Sequence, residues 1–100
     1  MSDVYWKKLE RKISKLLGGK RRIFGGVHSE KPIDVEADGI IVDVKSTKGK
    51  KSITIKREDL EDIQNLAEKK GVMGAIAFQY YYDRNQYIIL NIEDFLKLRS

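Results

Sequence analysis

Residues 32–46 read Pro-Ile-Asp-Val-Glu-Ala-Asp-Gly-Ile-Ile-Val-Asp-Val-Lys-Ser and decide the fold. Two runs rich in β-branched residues flank Asp38-Gly39, the signal for strands over 33–37 and 40–47 joined by a two-residue hairpin turn. Such a turn pairs Ala37 with Ile40, Glu36 with Ile41, Val35 with Val42 and Asp34 with Asp43. Opposed residues have Cβ atoms about 4.5–5.5 Å apart, and like charges at that distance destabilise the pair. A divalent cation reverses the sign of the interaction. Magnesium, with manganese as a substitute, suits such a pair, because it takes carboxylate oxygens while keeping several of its waters.

Alternation along the second strand puts Ile41, Asp43 and Lys45 on one face and Ile40, Val42 and Val44 on the other. The ammonium of Lys45 therefore lies beside the acids, where it can orient a water or neutralise charge that develops on a reacting phosphoryl group. A lysine in such a place has a responsive pKa, since burial moves an amine readily.

Upstream, Ser2–Leu17 repeats apolar residues at Trp6, Leu9, Ile13, Leu16 and Leu17 with the spacing of an amphipathic helix, and Gly18-Gly19 stops it. Glu10 shares the side of Trp6, Ile13 and Leu17, so it points along the core-facing stripe. A carboxylate there is costly without a partner, and metal ligation, directly or through water, supplies one. Lys20, Arg21 and Arg22 then form a basic loop, and an irregular stretch carries Gly25, Gly26, His28 and Ser29.

Downstream, Lys48, Lys50 and Lys51 make a second basic turn. A third strand is expected over 52–56, a helix over 58–70 with Leu60, Ile63, Leu66 and Ala67 on one face, strands over 73–82 and 87–92, and a terminal helix over 93–98. The expected class is α/β: one domain over residues 1–100 in the order α-β-β-β-α-β-β-α, with a central mixed sheet of about five strands flanked by helices. Tyr80, Tyr81, Tyr82 and Tyr87 fall on the late strands, where aromatic residues serve a core or a dimer contact more often than they stack on unpaired bases.

A chain of 100 residues with a net charge of +5 suits a partner of negative charge, nucleic acid first. With no cysteine, disulfides, thiolate metal sites and cysteine nucleophiles are excluded, and a single histidine excludes an imidazole-rich site. No run approaches the roughly 18 apolar residues that span a bilayer, so a cytoplasmic place is expected, nucleoid-associated in a cell or virus-encoded. Phosphate contacts from Arg11, Lys20, Arg21, Arg22, His28, Ser29, Lys48 and Lys51 would add affinity without sequence preference. On these residues alone a plainer account stands beside the chemical one. In it the acids are solvated or salt-bridged to Lys45, the basic turns serve solubility, and the chain is a non-catalytic DNA-binding module.

A helix glutamate, then P-x-D, then D-x-K on the next strand is an order that resembles the PD-(D/E)XK nuclease superfamily. Here it consists of Glu10, Pro32-Ile33-Asp34 and Asp43-Val44-Lys45. Within it, the chain is most similar to archaeal-type Holliday junction resolvases and related small phage endonucleases. The likeness is carried by Lys8-Leu9-Glu10-Arg11, the segment 32–46, and Ile53-Thr54-Ile55-Lys56-Arg57-Glu58-Asp59-Leu60. The resemblance implies a restriction-endonuclease-like fold and a Mg2+-dependent endodeoxyribonuclease acting in DNA recombination and repair on four-way junctions. It makes Asp34, Asp43 and the Val44 carbonyl metal ligands, Glu10 a further ligand or water-mediated contact, and Lys45 the catalytic lysine. Paired cuts on a symmetric junction imply a homodimer. The second acid is Asp43 where these resolvases usually carry glutamate. Another nuclease of the same superfamily, of nicking, repair or restriction type, shares the cluster and differs in the shape of its DNA.

Overall fold

The computed structural model describes residues 2–21, 33–46, 51–80 and 83–100. Its elements run α1 (Ser2–Leu17), β1 (Lys20–Arg21), β2 (Val35–Ala37), β3 (Ile40–Ser46), α2 (Arg57–Lys70), β4 (Met73–Gln79), β5 (Tyr87–Leu90) and α3 (Ile92–Arg99). Four full strands and the two-residue edge ladder β1 form one mixed sheet in the order β1-β2-β3-β4-β5. Among the described residues the β3–β4 pairing is parallel and the other three pairings are antiparallel. Parallel neighbours need a long crossover, and α2 supplies it.

The turn at Asp38-Gly39 forms as expected, with Val35 opposite Val42, Glu36 opposite Ile41 and Ala37 opposite Ile40. Gly39 takes φ 80°, a left-handed conformation that costs glycine little. Its carbonyl accepts the N–H of Met73, which ties the turn to the start of β4.

Alternation along β3 divides the apolar residues into two cores, one on each face of the sheet. Val42 and Val44 pack with Leu9, Ile13, Val35, Ala75 and Ala77 beneath α1. Ile41 packs with Ile33, Ile63, Ala67 and Ile76 beneath α2. The approach of α2 to β4 is close: a Cβ on Gly74 would stand 2.6 Å from the Ile63 carbonyl oxygen. A helix C-cap at Gly71, left-handed with φ 71°, turns the chain back into β4.

Several sequence expectations need correction. Residues 52–56 form no strand and do not join the sheet. Both sides of β3 are already taken by β2 and β4, and the alternation of this segment is used instead to pack Ile55 against the core beneath α2. The strand expected over 73–82 ends at Gln79, and Asn91 caps α3 by accepting the Glu93 N–H at 2.7 Å, which starts that helix at Ile92. In α1 the buried stripe is Leu9, Glu10, Ile13 and Ser14, whereas Leu16 and Leu17 are exposed. The Trp6 side chain lies outside the described residues. Among the described residues no helix is long and apolar enough to cross a membrane.

Candidate functional site

The hairpin ladder stops one step before the two aspartates, and that break builds the site. The N–H of Asp34 donates to the Val42 carbonyl at 2.9 Å, one residue away from the register of the rest of the hairpin. Its side chain then takes over the next ladder position, with Oδ2 accepting the Val44 N–H at 2.8 Å. Ile33 belongs to the core beneath α2 and Val35, two residues on, to the core beneath α1. A regular strand would put both on one face, so the chain crosses the end of the sheet at Asp34.

This crossing brings Asp34 to acids on both sides of the sheet. Burial pushes its pKa up to about 7, the negative charges of Glu10 and Asp43 push the same way, and the Val44 N–H opposes them. The carboxyl groups of Asp34 and Asp43 are close enough for the charge of each to bear on the other. Asp43 is also held above its ordinary value, by burial first, against the pull of Lys45. Two carboxyls this close resist ionising together, and both are held above the ordinary aspartate value.

Asp43 has a side chain only 6% exposed. Its Oδ2 is buried and has no hydrogen-bond partner among the described residues. The Lys45 ammonium is 3.3 Å away, close enough for charge attraction but without the alignment of a hydrogen bond. Lys45 also lies 3.5 Å from Oδ1 of Asp59. Burial acts to lower its pKa, but Asp43 and Asp59 outweigh that and hold it above the ordinary lysine value. The two acids thus favour the charged form of the amine.

Asp59 was not singled out by the motif. Its Oδ2 accepts the Lys56 N–H at 3.0 Å and so closes the start of α2, while Oδ1 faces Lys45. That backbone hydrogen bond, with the help of Lys45, keeps its pKa low. An acid at the third position of a helix is a capping signal legible in sequence. Its second contact exists only because the crossover returns the first turn of α2 to the side of β3.

The structure thus brings Asp34, Asp43 and Lys45 together and places Glu10, only 7% exposed, where its charge reaches Asp34. Among the described residues no three acidic, histidine or cysteine side chains converge as a ready ligand set. Two carboxylates and a backbone carbonyl are nonetheless a donor set of the kind magnesium accepts, since it keeps most of its waters. Oδ2 of Asp43, buried and ion-paired with Lys45 but without a hydrogen bond among the described residues, is the observation that fits a cation. Of the expected phosphate contacts, Arg11 and Lys51 are exposed. The side chains of Lys20 and Arg21, and all of Arg22, His28, Ser29 and Lys48, lie outside the described residues. Comparison with protein-family models, with curated proteins and with solved structures gives no match.

Proposed function

We propose that the chain is a Mg2+-dependent DNA endonuclease with the restriction-endonuclease-like arrangement of the PD-(D/E)XK superfamily, acting on branched DNA such as four-way junctions. One observation supports this above the others. Half-buried Asp34 and buried Asp43 stand at the end of one hairpin with both pKa values raised, Oδ2 of Asp43 lacks a hydrogen bond among the described residues, and the Lys45 ammonium stands 3.3 Å from it. A buried oxygen that has an ion pair but no hydrogen bond is the kind of group that a bound ion or water completes.

Asp34, Asp43 and the Val44 carbonyl would hold the metal ion, with Glu10 contributing through its charge or through a water. When bound, the ion lowers the pKa of a coordinated water and stabilises charge on the phosphate. Lys45 keeps its proton, so its part is electrostatic: it orients the attacking water or offsets the charge that develops on the phosphoryl oxygens. Asp59 positions that ammonium and does not touch the substrate. The net charge of +5 favours approach of a polyanion.

The test is a panel of four-way, three-way, flap and linear duplex DNA, each incubated with Mg2+ and with chelator. Mg2+-dependent cleavage, strongest on the four-way junction and abolished in Asp34→Asn with binding retained, is expected. Wild-type protein that binds these DNAs and cleaves none of them would overturn the proposal in favour of a binding module. Equal cleavage of linear duplex would move the assignment to another nuclease of the same type.

A further inference from the structure

Lys45 is the first residue of a row that runs across the sheet. Phe78 stands opposite it on β4, and Tyr87 stands opposite Phe78 on β5. Residues in register share a face, so all three project to the α2 side, one step beyond the row of Asp43, Ile76 and Ile89. Ile76 and Ile89 belong to the core beneath α2. The next row does not continue that core and instead gathers aromatic rings. Phe78 and Tyr87 stack with centroids 5.4 Å apart and planes 25° from parallel. Tyr80, two residues past Phe78, meets Phe78 edge-on at 5.6 Å and Tyr87 at 6.4 Å. Among the described residues the three rings belong to neither core. Phe78 and Tyr80 are half-buried, and Tyr87 is 42% exposed.

The connection from β4 to β5 holds the rings in place. Asp83 accepts the Tyr87 hydroxyl at 3.2 Å and the Asn85 N–H at 3.1 Å. Gln79 donates to the Asp83 carbonyl at 2.6 Å and accepts the Gln86 amide at 2.8 Å. With the donor of its hydroxyl engaged, Tyr87 presents chiefly its ring. A fixed aromatic face suits a nucleic-acid base, since every base has a π-face and stacking is tolerant of sequence. Position selects this occupant. Adjacent strands are about 4.8 Å apart, so the rings begin one strand away from the Lys45 ammonium. Arg84, exposed on the same connection, supplies a cation for neighbouring phosphates. Bases inside a duplex have both faces covered by their neighbours, and only unpaired ones are free to stack on protein. We propose that Tyr80 and Tyr87, backed by Phe78, form a platform on which unpaired bases stack beside the cut, so that the favoured substrate is DNA with single-stranded nucleotides at the cleavage position. The identity of the occupant rests on the nuclease reading of Lys45.

The test measures binding by the whole chain in chelator, where nothing is cut. Wild-type protein should bind a duplex with a single-stranded arm about tenfold or more tightly than a blunt duplex with the same number of phosphates, as one stacked base is enough for that difference. Tyr87→Leu keeps apolar bulk and loses the ring, so it should bind both DNAs with the affinity of the blunt duplex. Tyr87→Phe keeps the ring and should retain the preference. Iododeoxyuridine placed in the arm and irradiated should cross-link the wild type at Tyr80 or Tyr87. A wild type that binds both DNAs alike would overturn the proposal, as would a full preference in Tyr87→Leu or a cross-link that forms only elsewhere. The wild-type comparison and the cross-link decide the matter even where Tyr87→Leu fails to fold. Preference without cleavage in Mg2+ would keep the platform and remove the nuclease, whereas cleavage without preference would keep the nuclease and remove the platform.

Discussion

Burial and the neighbouring acids make Asp34 hold its proton well above the ordinary aspartate range, and that shift sets a pH dependence. Its pKa is about 7 in the folded chain against 3.8 for an ordinary aspartate, so the folded state binds this proton more tightly than the unfolded state does. Its contribution to stability is therefore complete below pH 3.8 and fades as the pH rises toward 7. In chelator, urea denaturation of the wild type should show this falling limb, and Asp34→Asn should lack it. The amide keeps an acceptor for the Val44 N–H and cannot ionise, so its Tm above neutral pH should exceed that of the wild type by several degrees, given that about 1 kcal/mol moves a domain of this size by about 4–8 °C. Should the limb persist unchanged in Asp34→Asn, another group carries it. Lys45→Met is expected to act in the opposite sense. It leaves Asp43 without its nearby cation, and because the lysine is partly solvated the cost should be about 1–2 kcal/mol by chemical denaturation. Mg2+ should restore more of that stability than Na+ at equal ionic strength.

At the scale of elements, α2 both completes the sheet and aims the lysine. Asp59→Ala removes the acceptor of the Lys56 N–H and should cost about 1 kcal/mol. Asp59→Asn keeps an acceptor there and removes only the charge that faces Lys45. If Asp59 positions the ammonium, both variants should cleave DNA more slowly, while only the alanine is appreciably less stable. Equal destabilisation with unchanged cleavage would reduce Asp59 to a cap. Close packing of α2 on β4 gives a second expectation. The atom that a Cβ on Gly74 would meet is the backbone oxygen of Ile63, which cannot swing aside as a side chain can. Gly74→Ala should therefore cost about 1–3 kcal/mol, read as a lower urea midpoint with an unchanged m-value.

For the whole molecule, charge is the property that DNA would sense first. Positive residues cluster at 20–22 and 48–51, on either side in sequence of the hairpin that bears the acids. Replacing Lys20, Arg21 and Arg22 together by alanine should weaken binding to all DNA sequences alike. It should also flatten the dependence of log K on log salt by about 0.9 for each phosphate that is no longer neutralised. A sequence-dependent weakening with an unchanged salt slope would assign these residues to base recognition instead.

Sequence alone determined whatever depends on local periodicity and turn chemistry. The helix Ser2–Leu17, the hairpin register from Val35–Val42 to Ala37–Ile40, and the placement of Lys45 beside Asp43 all follow from a two-residue turn and strand alternation. Tertiary structure decided whatever depends on which edges and faces were already occupied. Residues 52–56 have the alternation of a strand and found no free edge beside β3. Asp34 left the ladder where the chain crosses between two cores, Asp59 reached Lys45 through the crossover, and α3 turned its apolar stripe outward. Alternation is set by each residue and its nearest neighbours along the chain, whereas edge and face occupancy is a property of the assembled sheet, on which no single segment carries information.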